Sequence, residues 1–184
     1  MIKPIYLYGA PVLRETAKPA DLKDKEGIAT LVQDLKDTLV KADGCGLAAP
    51  QIGVSLRVVI VDGDVVADTY DYLKGFKRVI INPEILEESE EKVTYSEGCL
   101  SIPNIYCDVL RPAKMTLRYY NENFEQVTET LDKFACRMVQ HELSHLDGNL
   151  FTDNVPPIRR KMIASKLQNI AKGKVHPHYN SKLK

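Results

Sequence analysis

The chain has 184 residues, enough for one domain with a substantial core and short for two. Hydrophobic residues at 44% and charged residues at 27% exclude a disordered chain, and no stretch is apolar for long enough to cross a bilayer as a helix. Lys+Arg and Asp+Glu number 25 each, so no net field draws the chain to nucleic acid, and no sequence-specific nucleic-acid binding is expected.

The opening residues, Met1-Ile2-Lys3-Pro4-Ile5, lack the regions of a secretory signal, and a cytoplasmic location is expected. In a reducing compartment Cys45, Cys99, Cys107 and Cys136 need not pair, and without a C-x-x-C spacing a closed structural zinc site is not expected. Pro4 to Arg14 reads as short and irregular. Ile28, Leu31, Val32, Leu35, Leu39 and Val40 recur at three- and four-residue steps and predict a helix ended by Gly44 and Gly46. Strands are predicted over Leu56–Val61 and Arg78–Ile81, the second closed by Asn82-Pro83, with 62–77 as an excursion between them.

Val93–Tyr95 and Ile105–Val109 read as strands around a loop from Glu97 to Pro103. Met115–Tyr120 and Gln126–Leu131 form a hairpin about Asn121-Glu122-Asn123. A helix follows from about Lys133 to Asp147, stopped by Gly148-Asn149, and a last one runs from Pro156-Pro157 toward Ala171. The expected fold is α+β. Antiparallel sheets pack around a central metal-binding helix, with one helix towards each terminus. Residues 1–184 are read as a single catalytic domain, with 174–184 as a mobile basic tail. From Asn154 to Lys184 there are eight basic residues and no acidic one.

Residues 141 to 145 read His-Glu-Leu-Ser-His, an H-E-x-x-H match. On a helix the two histidines share one face and can reach one divalent cation. Glu142, about 100° further round, can approach a water beside that cation without becoming a ligand. There it can take the water's proton and deliver it to a leaving nitrogen. With this composition roughly 0.006 such matches are expected by chance, and Phe134, Met138, Leu143 and Leu146 make the helix apolar on several sides, as a buried one is.

A catalytic site of this type takes a third protein ligand. The extended pattern His-x-x-Gly-x-x-His is matched only to Gly148, because Phe151 stands at the last position, and no acidic residue follows Asp153. His176 and His178 lie on the tail. The ligand is therefore expected upstream, which argues against a metalloendopeptidase. Cys136 is about 140° off the face of His141, and Cys107 sits in a predicted strand. Cys45 and Cys99 both lie in glycine-bearing loops, and spacing favours neither.

The segments GCGLAAPQ, EGCLS and QHELSHL, in this order, resemble the three signature motifs of the peptide deformylases, and the likeness extends from Pro11-Val12-Leu13-Arg14 to the helix after Pro157. The resemblance implies that Cys99 joins His141 and His145 as a metal ligand. It also implies that Gln51 and the backbone N–H of Leu100 hold the formyl oxygen, with Glu142 as the proton carrier. The implied cation is Fe2+, with Zn2+, Ni2+ or Co2+ as substitutes, and the implied substrate is a nascent polypeptide starting with N-formylmethionine. Gly46 and Gly98 would let the peptide backbone approach, Met138 would line the methionine pocket, and Cys45 would be a wall of the same cleft. Ser144 stands where the family usually has aspartate, and Arg111 is the expected cation whose partner changed. The helical C-terminus resembles the members in which a basic terminal helix can dock on the ribosome.

Overall fold

The computed structural model describes all 184 residues. Strand β1 (Ile5–Tyr6) is followed by helix α1 (Lys25–Ala42) and the short strand β2 (Gly46–Ala48). Six strands come next: β3 (Val58–Asp62), β4 (Lys77–Glu88), β5 (Lys92–Cys99), β6 (Ile102–Pro112), β7 (Lys114–Tyr120) and β8 (Gln126–Asp132). Helix α2 (Lys133–Leu146), helix α3 (Pro157–Ala171) and strand β9 (Ser181–Lys182) complete the chain. The main sheet is antiparallel in the order β2-β3-β4-β7-β8, β5 and β6 form a separate antiparallel hairpin, and β1 pairs with β9 in parallel. No helix is long and apolar enough to cross a membrane.

The unbroken apolar run of β3 has a simple cause, since successive side chains point to opposite faces and both faces are covered. Val58 and Ile60 pack with Ile28, Leu31 and Leu35 of α1. Val59 and Val61 pack with Cys136, Val139 and Leu143 of α2. The helix that bears the histidines is thus pressed against one face of the sheet, with α1 on the other. All four cysteines are free, and Cys107 and Cys136 are buried packing residues.

Several boundaries differ from the sequence expectation, each for a local reason. Helix α1 ends before its glycines: Asp43 adopts the left-handed conformation at φ 54°, and its N–H reaches the Leu39 and Val40 carbonyls. Aspartate tolerates this region better than most residues. Strand β4 does not stop at Asn82-Pro83. Asn82 takes φ 49°, its side-chain amide pairs with both backbone groups of Ala20 (2.8 and 2.9 Å), and the register shifts between Ile81 and Glu84. A bulge is where proline can remain in a strand. Strands β5 and β6 are longer than expected, leaving only Leu100-Ser101 as the turn.

The segment 174–184, expected as a mobile tail, folds back on the body. Ile5 N–H donates to the Asn180 carbonyl and Leu7 N–H to that of Lys182, each at 2.9 Å, while Tyr179 is buried. Tail composition does not reveal this pairing because its partner strand lies at the opposite end of the chain.

Helix α2 is terminated as expected at Gly148, which has φ 72°. A Cβ there would come within 2.6 Å of the Arg14 carbonyl oxygen, a backbone atom that cannot swing aside. We therefore expect Gly148→Ala to lower the urea unfolding midpoint by an amount worth at least ~1–2 kcal/mol, the left-handed penalty alone, with the unfolding slope unchanged.

Candidate active site

Helix α2 presents His141 and His145 one turn apart, with ring centroids separated by 5.2 Å. The end of β5 brings Cys99 to them, with Sγ 3.4 Å from His145 Nε2. One ligand atom from each of Cys99, His141 and His145 lies within 4.8 Å of the others, and no further residue joins the group. An ideal tetrahedral site with metal–sulfur and metal–nitrogen bonds of about 2.3 and 2.0–2.1 Å has sulfur–nitrogen edges of roughly 3.5 Å, so the donors present fit a divalent cation. Cys45, which spacing left open beside Cys99, stands apart in the cleft wall. Burial, aided by the charge of Glu142, pushes its thiol up to about 12, so it stays protonated. Phe151, at the position of the missing third histidine, is buried with its ring centroid 6.0 Å from that of His141.

His141 is steered by Glu97. The 2.8 Å contact between His141 Nδ1 and Glu97 Oε1 makes Nδ1 the donor and turns Nε2 inward. Glu97 also accepts from Arg111 Nε and Nη2 (2.8 and 3.0 Å) and from Arg137 Nη1 (3.1 Å). Burial alone would raise its pKa, but the hydrogen bonds from His141 and Arg111 outweigh that and hold the carboxyl at about 2. Arg111 does lie against Ser144, donating to its Oγ at 2.9 Å, and its countercharge is Glu97. Sequence reasoning missed Glu97 and Arg137. The available signal was that Glu97 precedes Cys99 by two residues in an extended segment.

Glu142 is buried, and its Oε2 has no partner. Burial pushes the carboxyl up to about 7, against the pull of His141, so it can both take and give a proton near neutrality. Gly46 makes the room, because a Cβ at that position would collide with Glu142 Oε1. A Cβ at Gly98 would likewise meet the Tyr106 ring at 2.5 Å. Both glycines line the cleft; at Gly46 the clash is with the buried Glu142, whereas at Gly98 it is with the ring of Tyr106, which is exposed and can swing aside.

Gln51 is fixed from both ends of its amide. Oε1 accepts from Ala48 N–H at 2.9 Å, and Nε2 donates to Ser101 Oγ at 3.1 Å while facing Cys99 Sγ at 3.5 Å. The Leu100 N–H has no acceptor within the protein, whereas the Leu100 carbonyl accepts from Tyr179 Oη at 2.5 Å. These groups border a cleft of about 550 Å³ whose apolar part includes Val65, Val66, Phe134 and Met138. Met138 serves as core and as lining at once, buried among the residues between α2 and the sheet. His176 and His178 line the cleft's mouth, away from the donor group.

Residues 2–161 match the family model described as Polypeptide deformylase. The peptide deformylase of Christiangramia forsetii is 42% identical over 97% of this chain and 94% of its own length, and that of Pseudothermotoga lettingae 45% over 94% of each. The crystal structure of a peptide deformylase from Legionella pneumophila matches with a TM-score of 0.81 at 36% identity, covering 95% of this chain and 98% of that one. The peptide deformylase of Thermus thermophilus matches with a TM-score of 0.82 at 35% identity, covering 94% and 99%. The chain belongs to the polypeptide deformylase family, metal-dependent hydrolases of a linear amide C–N bond that remove the formyl group from the N-terminus of nascent polypeptides.

Proposed function

We propose that Cys99, His141 and His145 hold the metal, that Glu142 moves the protons, and that Gln51 Nε2 with the Leu100 N–H holds the formyl oxygen. The observation that carries this reading is the convergence of a thiol and two imidazoles, from β5 and α2, within 4.8 Å. When bound, the cation supplies positive charge that polarises the formyl carbonyl and acidifies water beside it. Ferrous iron is the proposed ion, with Zn2+, Ni2+ or Co2+ as substitutes, since a thiolate with two imidazoles suits several borderline ions.

The chain's own residues carry the remaining work. Glu142 takes a proton from the attacking water and returns it to the peptide nitrogen as the formyl C–N bond breaks, leaving formate and a free amine. Gln51 and Leu100 offer one side-chain and one main-chain donor to the oxygen as it gains charge. The cleft lies between β2, the outer strand of the main sheet, and the β5 strand end at Gly98. An extended peptide can hydrogen-bond there as an added strand, with its methionine side chain among the apolar residues around Met138. Cys45 contributes wall area.

This reading puts the enzyme in the cytoplasm, acting on N-formylmethionyl chains as they emerge. Helix α3 is the proposed ribosome-docking element. Its inner face is spent on the core through Ile163, Leu167 and Ile170, while Ile158 and Met162 stand exposed beside Lys161 and Lys166. Arg159 and Arg160 partly engage backbone carbonyls of Tyr106, Thr152 and Asp153.

Three outcomes test these assignments. Glu142→Gln is expected to keep its metal, measured by elemental analysis after anaerobic purification. Formate release from formyl-Met-Ala-Ser should fall about 10²–10⁴-fold. Cys99→Ala should lose metal, and a variant that binds iron and turns over normally would remove the thiolate from the ligand set.

Glu97→Gln leaves two buried guanidinium groups uncompensated and His141 unsteered. Stability should drop by about 3–5 kcal/mol and metal affinity by roughly 10–100-fold. Because the folded carboxyl is held at about 2 against an ordinary 4.5, its stabilisation is complete above 4.5 and is lost as pH falls toward 2. That acid dependence should weaken in the variant.

Reversing Lys161 and Lys166 to glutamate should abolish ribosome co-sedimentation while leaving turnover of the free peptide intact. Unchanged co-sedimentation would discard the docking role. Deleting α3 is a poorer test, since it would remove core residues.

A further inference from the structure

Leu100 sits in the two-residue turn between β5 and β6, and both carbonyls of that turn are tied down by the ends of the chain. The Ser101 carbonyl accepts from Tyr8 N–H at 2.8 Å, and the Leu100 carbonyl accepts from the Tyr179 hydroxyl at 2.5 Å. The two anchors are linked to each other, because β1 and β9 pair as strands beside them. Tyr179 is only 9% exposed and packs into the larger hydrophobic cluster, so its hydroxyl has little freedom to seek another acceptor. Burial pushes the phenol's pKa up, which keeps it a proton donor throughout the neutral range. Tyr179 also lies beyond the residues, 2–161, that match the family model.

A turn of two residues can flip its peptide planes at modest expense when its carbonyls face solvent. Here a flip of the Leu100–Ser101 plane would break the bond from Tyr179 and leave the half-buried Leu100 carbonyl without that donor. The Leu100 N–H, the free donor beside Cys99, belongs to the preceding Cys99–Leu100 plane; the two planes meet at the Leu100 Cα, so fixing the second narrows the backbone angles open to the first. We propose that Tyr179 is a positioning residue for deformylation: its hydroxyl holds the Leu100 carbonyl so that the Leu100 N–H stays aimed at the formyl oxygen. The proposal rests on the reading of Leu100 as an oxyanion donor. It adds that the C-terminal segment, together with the Cys99–Ile102 pairing of the hairpin, holds the donor's orientation.

The experiment compares Tyr179→Phe, which keeps the ring and removes the hydroxyl, with a chain carrying a backbone ester at position 100. The ester is introduced as the α-hydroxy analogue of leucine and removes the N–H while keeping every side chain. Both are assayed on formyl-Met-Ala-Ser after anaerobic purification, with metal content and thermal midpoint recorded. Tyr179→Phe is expected to lower kcat about 10-fold, less than the roughly 10²–10³ that loss of a whole donor costs. KM should stay within about twofold and the metal stoichiometry should not change, a split that general loosening would not produce.

In the ester background Tyr179→Phe should have no further effect on kcat. An unchanged kcat in Tyr179→Phe, with the ester slow, would overturn the positioning role and leave Leu100's own role standing. Equal losses in both backgrounds, or loss of metal, would also overturn it by showing a merely structural effect. An ester chain with normal kcat would overturn the Leu100 reading and the proposal with it. If Tyr179→Phe does not fold, a chain ending at Asn180 keeps Tyr179 but removes the Leu7–Lys182 bond; the same kcat-selective pattern, smaller in size, is then expected, and normal kcat overturns the proposal.

Discussion

The arrangement of the site depends on one buried carboxylate. Glu97 collects hydrogen bonds from Arg111 on β6, Arg137 on α2 and His141 on α2. It thereby fixes the β5–β6 hairpin against the helix that carries the histidines. A buried ion cluster is a poor source of net stability, because desolvation consumes most of the attraction. Its value lies in tolerating few alternatives: sliding the hairpin along α2 would strand the buried Arg137 guanidinium and leave His141 without its acceptor. Once Glu97 is seated, Cys99 is only two residues away. The register shift between Glu97 and Cys99 turns the sulfur toward His145, in keeping with the way bulges re-aim side chains beside functional sites.

Two carboxylates flank the cation site in opposite states. Glu97 is kept ionised at about 2 by donors crowded around it, while Glu142 is pushed to about 7 by burial without hydrogen-bond partners on Oε2. Their roles follow from that divergence. An acceptor that never protonates can orient a histidine, and one that titrates near neutrality can shuttle a proton. Gly46 belongs to this division, since any side chain there would displace Glu142 from its dry position.

What the sequence disclosed was mostly local. The H-E-x-x-H spacing, the β7–β8 hairpin and the stop at Gly148 each lie within one element or its cap, and the three-motif resemblance added Cys99, which spacing could not separate from Cys45. Arg111 was anticipated beside Ser144 because a changed motif residue implies a changed partner. Glu97 was overlooked because its meaning comes from Arg111, Arg137 and His141, 14 to 44 residues away in sequence. Asn82-Pro83 read as a stop because nothing local shows that the Asn82 amide will pair with Ala20, 62 residues distant. Gly46 and Gly98 were read as making room for substrate; a second reason for Gly46, the position of Glu142 against it, comes from a helix 96 residues further on and has no local sign.

The C-terminal segment shows most plainly how long-range pairing alters a local reading. Residues 174–184 contain Lys174, Lys182 and Lys184, two histidines and a proline, and they follow a glycine, a composition that suggests solvated chain. Yet a parallel pairing of only two residues with β1 suffices to bring Tyr179 beneath the Leu100 turn. Such a short pairing is weak by itself; it persists because Tyr179 and Ile5 are buried in the same hydrophobic cluster. The chain ends therefore act together on one turn, Tyr8 through Ser101 and Tyr179 through Leu100. The turn beside Cys99 is thus held by contacts drawn from the two ends of the sequence, which no local reading of either end discloses.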